Sequence, residues 1–374
     1  MKFATANLLL LVIAALTTSI PSFAQEERQD AGNLPHGTLT EFDVPGANPA
    51  AGLGTQAFAN NDLGVSVGVY TDMNLVPHGF IRAADGKITS FDAPGAGLGA
   101  GLEQGTEAFS INDFGVIAGQ FEDPNDVFHG FIRFPDGAFT TFEAPGAGTG
   151  AEQGTLAYNV NLSGATAGVY YDESNAEHGF VRSLSGKITT FDAPDANGFT
   201  MVCEETCLNP EGAVAGFYLD VNSVFHGFVR EPDGEIMELS APEAGTGAFQ
   251  GTLAASITPF GIITGYFLSS DGVPNGFVRT PDGKFTTFNV ADSSGTAAYS
   301  INLLDTVTGV YADTDFAFHG YSRSAFGAFI FFDAPDGGPG SFQGTRPSTN
   351  NLEGAVAGWV TTASGGNRGF VWQP

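Results

Sequence analysis

The sequence has little basic charge and no long apolar run beyond its N-terminal region. Lys and Arg number 13 against 41 Asp and Glu, which gives a formal net charge of −28 at pH 7. A surface of this sign repels nucleic acid and anionic lipid, so we exclude nucleic acid as a partner. No later stretch approaches the roughly 18 apolar residues of a membrane helix, so we expect no membrane span.

The first residues resemble an export signal. Met1-Lys2 precedes an apolar run from Leu8 to Leu16, and Ser22-Phe23-Ala24 ends in a small-x-small cleavage pattern. We therefore predict a signal peptide over residues 1–24, an N-terminal segment over 25–35 and one domain over 36–374. The mature protein is expected to be secreted or periplasmic.

Cysteine is scarce, with only Cys203 and Cys207 in the chain. In an exported protein such a pair indicates a disulfide. An extended strand would separate the two by roughly 13 Å, so a bridge requires a turn within CEETC. The alternative is a small buried pair of free thiols.

Despite its charge, the chain has the composition of a packed, turn-rich β protein. Hydrophobic residues make up 42%, with 34 Phe and 52 Gly. One phrase recurs about every 50 residues: Gly-Thr-x-Ala, Asn-x-x-Gly, a Gly-aromatic pair, His-Gly-Phe-x-Arg, and Phe-Asp-Ala-Pro-Gly. The glycines that follow the histidine position mark seven copies: Gly79, Gly130, Gly179, Gly227, Gly276, Gly320 and Gly369.

Each copy contains four strand-like segments; in the second they are EAFSI, GVIAGQF, FHGFIRF and AFTTFEA. Four strands per repeat of this length predict an all-β, seven-bladed β-propeller with four-stranded blades. The last copy stops after its third strand, whereas GTLTEFDVP near the N-terminus matches the fourth strand of other copies. We therefore expect the N-terminal strand to close the last blade.

The Asn-x-x-Gly turn, the Gly-aromatic strand and the His-Gly-Phe phrase together resemble the extracellular HAF-repeat family. That family is named for a His-Ala-Phe triplet, and here the middle residue is Gly. The resemblance extends from about residue 54 to 372, although Asn275 and Arg368 replace the histidine in the fifth and seventh copies. It implies an exported repeat protein and transfers no catalytic residues.

The recurrent histidines have acids near them in sequence, as at Asp123, His129 and Glu143. Repetition around a ring argues against catalysis, which requires one asymmetric site. Equivalent histidines would also lie too far apart to share a metal ion. We predict no catalytic or metal-ligating residues, and histidines that brace each blade through carboxylates: His78, His129, His178, His226 and His319.

The other recurrent residues are interpreted as structural. The Asn series that begins at Asn61 and Asn112 should form tight turns. The arginines of the His-Gly-Phe-x-Arg phrase should neutralise carboxylates, with a basic ring for an anionic ligand as the alternative. DPND at 123–126 and DTD at 313–315 lack the full calcium-loop spacing, so no cofactor is predicted and weak Ca²⁺ binding is the alternative.

For function, we favour a monomeric, non-enzymatic scaffold that binds an extracellular glycan or protein through its long loops. The alternative is a carbohydrate-active hydrolase or lyase, which needs a non-repeating pair of carboxylates. The fourth copy departs most from the repeat, so Met201, Glu204 and Glu205 are the candidate ligand-binding residues. The candidate carboxylates for catalysis are Glu103, Glu152, Glu204 and Glu205.

Overall fold

The computed structural model describes residues 37–99, 104–204 and 206–374. Within these ranges all regular elements are β-strands, so the predicted all-β class is confirmed. No helix in the described part of the chain is long and apolar enough to cross a membrane. The predicted signal peptide and the segment over 25–35 lie outside the described residues.

The strands form antiparallel units of four consecutive strands, except that the last unit consists of β26–β28 and β1. The first strands are β2 (Thr55–Asn60), β6 (Thr106–Ile111), β10 (Gly154–Val160), β14 (Thr200–Val202), β18 (Gly251–Ile257), β22 (Gly295–Ile301) and β26 (Gly344–Asn350). The second strands are β3 (Ser66–Thr71), β7 (Ile117–Glu122), β11 (Thr166–Tyr171), β15 (Val214–Leu219), β19 (Ile263–Leu268), β23 (Val307–Ala312) and β27 (Val356–Thr361).

The third and fourth strands complete each unit. The third strands are β4 (Pro77–Arg82), β8 (Phe128–Arg133), β12 (Glu177–Arg182), β16 (Phe225–Arg230), β20 (Pro274–Arg279), β24 (Phe318–Arg323) and β28 (Asn367–Gln373). The fourth strands are β5 (Ile88–Phe91), β9 (Phe139–Phe142), β13 (Ile188–Phe191), β17 (Ile236–Leu239), β21 (Phe285–Phe288), β25 (Phe329–Phe332) and β1 (Thr38–Phe42).

The N-terminal strand pairs with the end of the chain. β1 runs antiparallel to β28 with Thr38 opposite Gln373 and Phe42 opposite Gly369. This is the pairing that the match between GTLTEFDVP and other fourth strands predicts. The last unit also contacts the first, because Asn351 Nδ2 donates to the carbonyl of Asn61 at 3.1 Å.

The Asn-x-x-Gly segments are the tight turns between first and second strands. In the first unit, Asn61 Oδ1 accepts hydrogen bonds from the backbone N–H groups of Leu63 and Val65 at 3.1 and 3.0 Å. Asn61 Nδ2 donates to the carbonyl of Asn112 in the next unit at 3.1 Å. The same side chain thus closes its own turn and links two units, and the second role was not predicted.

The recurrent Gly and Phe of the His-Gly-Phe phrase form the core. A Cβ on Gly79 would lie 2.7 Å from the ring of Phe91, so only glycine lets the fourth-strand ring pack there. The aromatic residue that follows the glycine is completely buried in every unit: Phe80, Phe131, Phe180, Phe228, Phe277, Tyr321 and Phe370. Burying an aromatic ring in each unit is a large hydrophobic contribution to stability.

Candidate functional site

Five third-strand histidines share one geometry. His129 Nδ1 lies 2.5 Å from Glu143 Oε1, and its Nε2 lies 3.6 Å from Asp123 Oδ2. The imidazole also stacks on Phe121 with a centroid distance of 4.8 Å. The histidines with an acid on each side, both from their own unit, are His78, His129, His178, His226 and His319.

In the second unit, the pKa values of His129 and Asp123 shift in the directions expected of an ion pair. The hydrogen bond with Glu143, opposed by burial and aided by the charges of Glu143 and Asp123, raises the pKa of His129. Burial alone would raise the pKa of Asp123, but the backbone N–H groups of Val127 and Asn125 hold it below its usual value. The bracing role stays a prediction, and this geometry is what it requires.

His226 has a partner that the sequence pattern does not reveal. Ser240 stands where other units have an acid, yet Glu238 Oε1 lies 3.1 Å from His226 Nδ1. Glu238 also accepts hydrogen bonds from Tyr218 Oη and Ser240 Oγ, both at 2.9 Å. A carboxylate two residues earlier on the same strand face therefore supplies the missing charge.

Five of the six recurrent arginines lie over an aromatic ring of the preceding unit, and Arg279 lies over Phe285 of its own unit. These ring contacts were not predicted, and carboxylate charges still act on four of the arginines. The Arg133 guanidinium carbon lies 4.9 Å from the ring centroid of Phe91, and that of Arg82 lies 5.0 Å from Phe42. The Phe91 ring is thus enclosed by Gly79 of its own unit and Arg133 of the next. These cation–π contacts join neighbouring units.

The fourth unit differs from the others in its first strand, β14, which has only three residues. A disulfide joins Cys203 and Cys207. Asn159 of the third unit holds this segment, with Nδ2 donating to the carbonyl of Cys203 at 2.8 Å and Oδ1 accepting from Cys207 N at 2.9 Å. Thr206 Oγ1 contacts Ser256 Oγ at 2.5 Å.

The candidate ligand-binding residues of this segment have different environments. Met201 is buried in the hydrophobic core and only 7% exposed. Glu204 is partly exposed, and Glu205 lies outside the described residues. Of the other candidate carboxylates, Glu103 is outside the described residues and Glu152 is exposed. The predicted ligand contacts therefore stay predictions, and a pocket at Met201 would require its side chain to leave the core.

Beside this segment lies a buried acid that was not predicted. Glu177 occupies the first position of β12, where other third strands begin with Pro, Phe or Asn, and it is 3% exposed. One of its oxygens, Oε1, has no hydrogen-bond partner. Burial, with a smaller contribution from Glu204, raises the pKa of Glu177 to about 8 although a hydrogen bond with Tyr171 opposes the shift.

Arg368 stands in the histidine position of the last unit. Its Nε donates to Asp43 Oδ2 at 3.0 Å and its Nη1 donates to Glu41 Oε2 at 2.8 Å, and Nη1 also pairs with Asp336. Burial raises the pKa of Glu41, opposed by the N–H of Asp336 and reinforced by the Asp336 carboxylate. In the fifth unit, Asn289 Nδ2 donates to Asn275 Oδ1 at 2.8 Å, an uncharged version of the same brace.

Arg368 borders a cavity of about 620 Å³ between the last and first units, which we call the seam cavity. Its volume is in the range of small-molecule sites. The segment 43–49 forms one wall and the connection between β27 and β28 forms another. The polar side chains that line it are Asp43, Asn48, Asp336, Thr362, Ser364, Asn367 and Arg368.

The segments that resemble calcium loops use their acids for backbone turns. Asp123 Oδ1 accepts hydrogen bonds from Asn125 N and Val127 N at 2.8 and 3.0 Å. No group of three or more His, Cys, Asp or Glu suited to a metal ion occurs in the described part of the chain. Weak Ca²⁺ binding stays a hypothesis.

No family model matches this sequence, and no curated protein matches it either. A streptogramin B lyase structure is similar in fold, with 12% identity, a TM-score of 0.56, and coverage of 90% of this chain and 98% of the lyase. Puromycin hydrolase has 13% identity and a TM-score of 0.54, over 86% of this chain and 52% of the hydrolase.

The BP39L lectin of Burkholderia pseudomallei is also similar, with 10% identity, a TM-score of 0.50, and coverage of 83% and 94% of the two chains. At these identities the likeness concerns the fold alone. Together with the repeated four-stranded antiparallel units, it defines a repeat protein of the β-propeller class.

Proposed function

We propose that this protein is an exported, monomeric, seven-bladed β-propeller of the HAF-repeat family that binds a hydroxyl-rich ligand, a glycan, without transforming it. The 28 strands of the described residues, four to a unit with β1 in the last one, support a count of seven. Hydrogen bonds between Asn351 and Asn61 and between Leu352 N and Asp62 support ring closure. The disulfide and the signal-like N-terminus support export.

The seam cavity is the observation that carries the binding proposal. It lies at the junction where Arg368 replaces the repeat's histidine and β1 from the far end of the chain completes the sheet. Arg368 orients the carboxylates of Asp43 and Asp336, whose remaining lone pairs can accept hydrogen bonds from sugar hydroxyls. The hydroxyls of Thr362 and Ser364 add donors and acceptors at the same cavity.

This proposal is tested by glycan-array binding followed by calorimetric titration of the best glycan. Arg368→His restores the repeat's histidine opposite Asp43 but removes the contacts of the guanidinium Nη1 with Glu41 and Asp336. We therefore expect it to weaken glycan binding by about tenfold or more. His129→Asn, a change at the equivalent position of the second unit, is the matched control and should bind as the unaltered protein does. Absence of glycan binding, or equal binding by Arg368→His, would refute the seam cavity as the site.

A second candidate function is a carbohydrate-active hydrolase or lyase, favoured by the buried Glu177. A carboxyl with a pKa of about 8 is protonated at neutral pH and can serve as a general acid. Glu204 then supplies the second carboxylate of a non-repeating pair. Turnover in a polysaccharide screen that Glu177→Gln abolishes would establish this function, whereas binding without turnover would eliminate it.

A further inference from the structure

The tight turns between first and second strands carry exposed apolar side chains. Leu63 is 65% exposed, Phe114 is 70% and Phe260 is 71%. Turn formation explains the Asn and Gly at the ends of each turn but not a large apolar residue in the middle, where small and polar residues dominate. We call the six residues the turn ring: Leu63, Phe114, Leu162, Phe260, Leu304 and Leu352.

Single exposed apolar residues are common on protein surfaces, but these six occupy the second or third position of the same repeated turn, which brings them to one face. In six of the seven turns the Asn Nδ2 donates to a carbonyl of the next turn, whereas the fifth turn begins with Thr258 and has no such amide. The linked pairs are Asn61 to Asn112, Asn112 to Asn161, Asn161 to Asn209, Asn209 to Thr258, Asn302 to Asn351, and Asn351 to Asn61. The ring is therefore a preorganised surface, which reduces the entropy lost on binding.

This surface is also acidic. The seven turns contain no Lys or Arg, and their acids are Asp62, Asp113, Glu211, Asp305 and Glu353. Glu211 and Glu353 are exposed. Asp62 and Asp113 lie close together, since Asp62 N donates to Asp113 Oδ1 at 2.9 Å. A second copy of the chain would bring like charges together, so charge complementarity favours a cationic occupant.

We propose that the turn ring is a docking surface for a cationic amphipathic segment of a partner protein, with apolar side chains on the ring and Lys or Arg beside the acids. The surface is distinct from the seam cavity. That cavity is lined by the connection between β27 and β28, which leaves the opposite ends of the strands from the first-to-second turns.

The test uses the full mature chain and a fluorescent synthetic amphipathic peptide of Leu and Lys. Phe114→Ser combined with Phe260→Ser should weaken binding by about tenfold or more. The matched control is Met73→Ser combined with Val221→Ser, which alters residues 67% and 77% exposed on the opposite loops and should leave binding unchanged. Glu211→Gln with Glu353→Gln should reduce the dependence of binding on salt.

Several outcomes would overturn the proposal. The proposal would be wrong if the peptide did not bind the unaltered protein, or if the control variant lost as much binding as the variant with Phe114→Ser and Phe260→Ser. Concentration-dependent dimerisation that Phe114→Ser with Phe260→Ser removes, measured by sedimentation, would assign the face to a second copy instead. Binding to phosphatidylcholine vesicles that the same variant removes would assign it to a lipid surface.

Discussion

Replacing His129 by Ala should destabilise the protein in a pH-dependent way. The imidazole makes a hydrogen bond of 2.5 Å with Glu143 and stacks on Phe121 at 4.8 Å, and it is partly exposed. A hydrogen bond contributes about 0.5–1.5 kcal/mol net, and an aromatic contact adds a similar amount. Because solvent screens a half-exposed carboxylate, we expect a total loss of about 1–2 kcal/mol at pH 6.

The pH dependence follows from the raised pKa of His129, whose first cause is the hydrogen bond with Glu143. The charged imidazole is stabilised in the folded protein, so its contribution is fully present below the unfolded value of about 6.5. It is lost as pH rises through the folded pKa. The cost of His129→Ala, measured as the shift in urea midpoint, should therefore be larger at about pH 6 than at about pH 9.

The fifth unit supplies the control. His129→Asn with Glu143→Asn copies the uncharged pair of Asn275 and Asn289, which are joined at 2.8 Å. This double variant should recover part of the stability and show no pH dependence from the second unit. A cost of His129→Ala that is equal at both pH values, or that grows with pH, would refute the ion pair as its source.

Three further predictions concern other contacts. The free energy of unfolding should fall between about pH 4.5 and 8, because Glu177 stays protonated in the folded protein but loses its proton near pH 4.5 in the unfolded chain. Glu177→Gln should remove this fall, as measured by urea unfolding at several pH values. An unchanged pH dependence would contradict a buried acid. Reduction of Cys203–Cys207 should lower stability by about 2 kcal/mol for so short a loop, and a reductant should have no effect on Cys203→Ser with Cys207→Ser. Arg133→Gln should cost about 0.5–1 kcal/mol through its contact with Phe91, whereas the same loss in Asp136→Asn would indicate charge pairing instead.

The features that the sequence predicts are those set within one repeat. Period-two patterns and Asn-x-x-Gly turns determine which segments are strands and how neighbouring strands pair, because alternation fixes the buried face. The same logic correctly pairs β1 with β28, since the missing fourth strand of the last copy leaves an open edge. The acids on either side of His78 and His129 could also be predicted, because cross-strand neighbours follow from the register.

What lies between repeats was decided only by the tertiary structure. Arg133 meets Phe91 of the preceding unit, and Asn61 reaches the carbonyl of Asn112, because of how whole sheets pack together. The repeat alone does not encode that packing, so the rings beneath the arginines could not be predicted from it.

The two candidate sites have the same origin. The seam cavity brings Asp43 and Arg368 together from opposite ends of the chain, and Glu177 is buried beside a segment of the next unit. Local pattern determines secondary structure through backbone geometry, whereas the burial that raises the pKa of Glu177 and the cavity beside Arg368 depend on contacts distant in sequence. Only the packing of whole units in the folded chain determines those contacts.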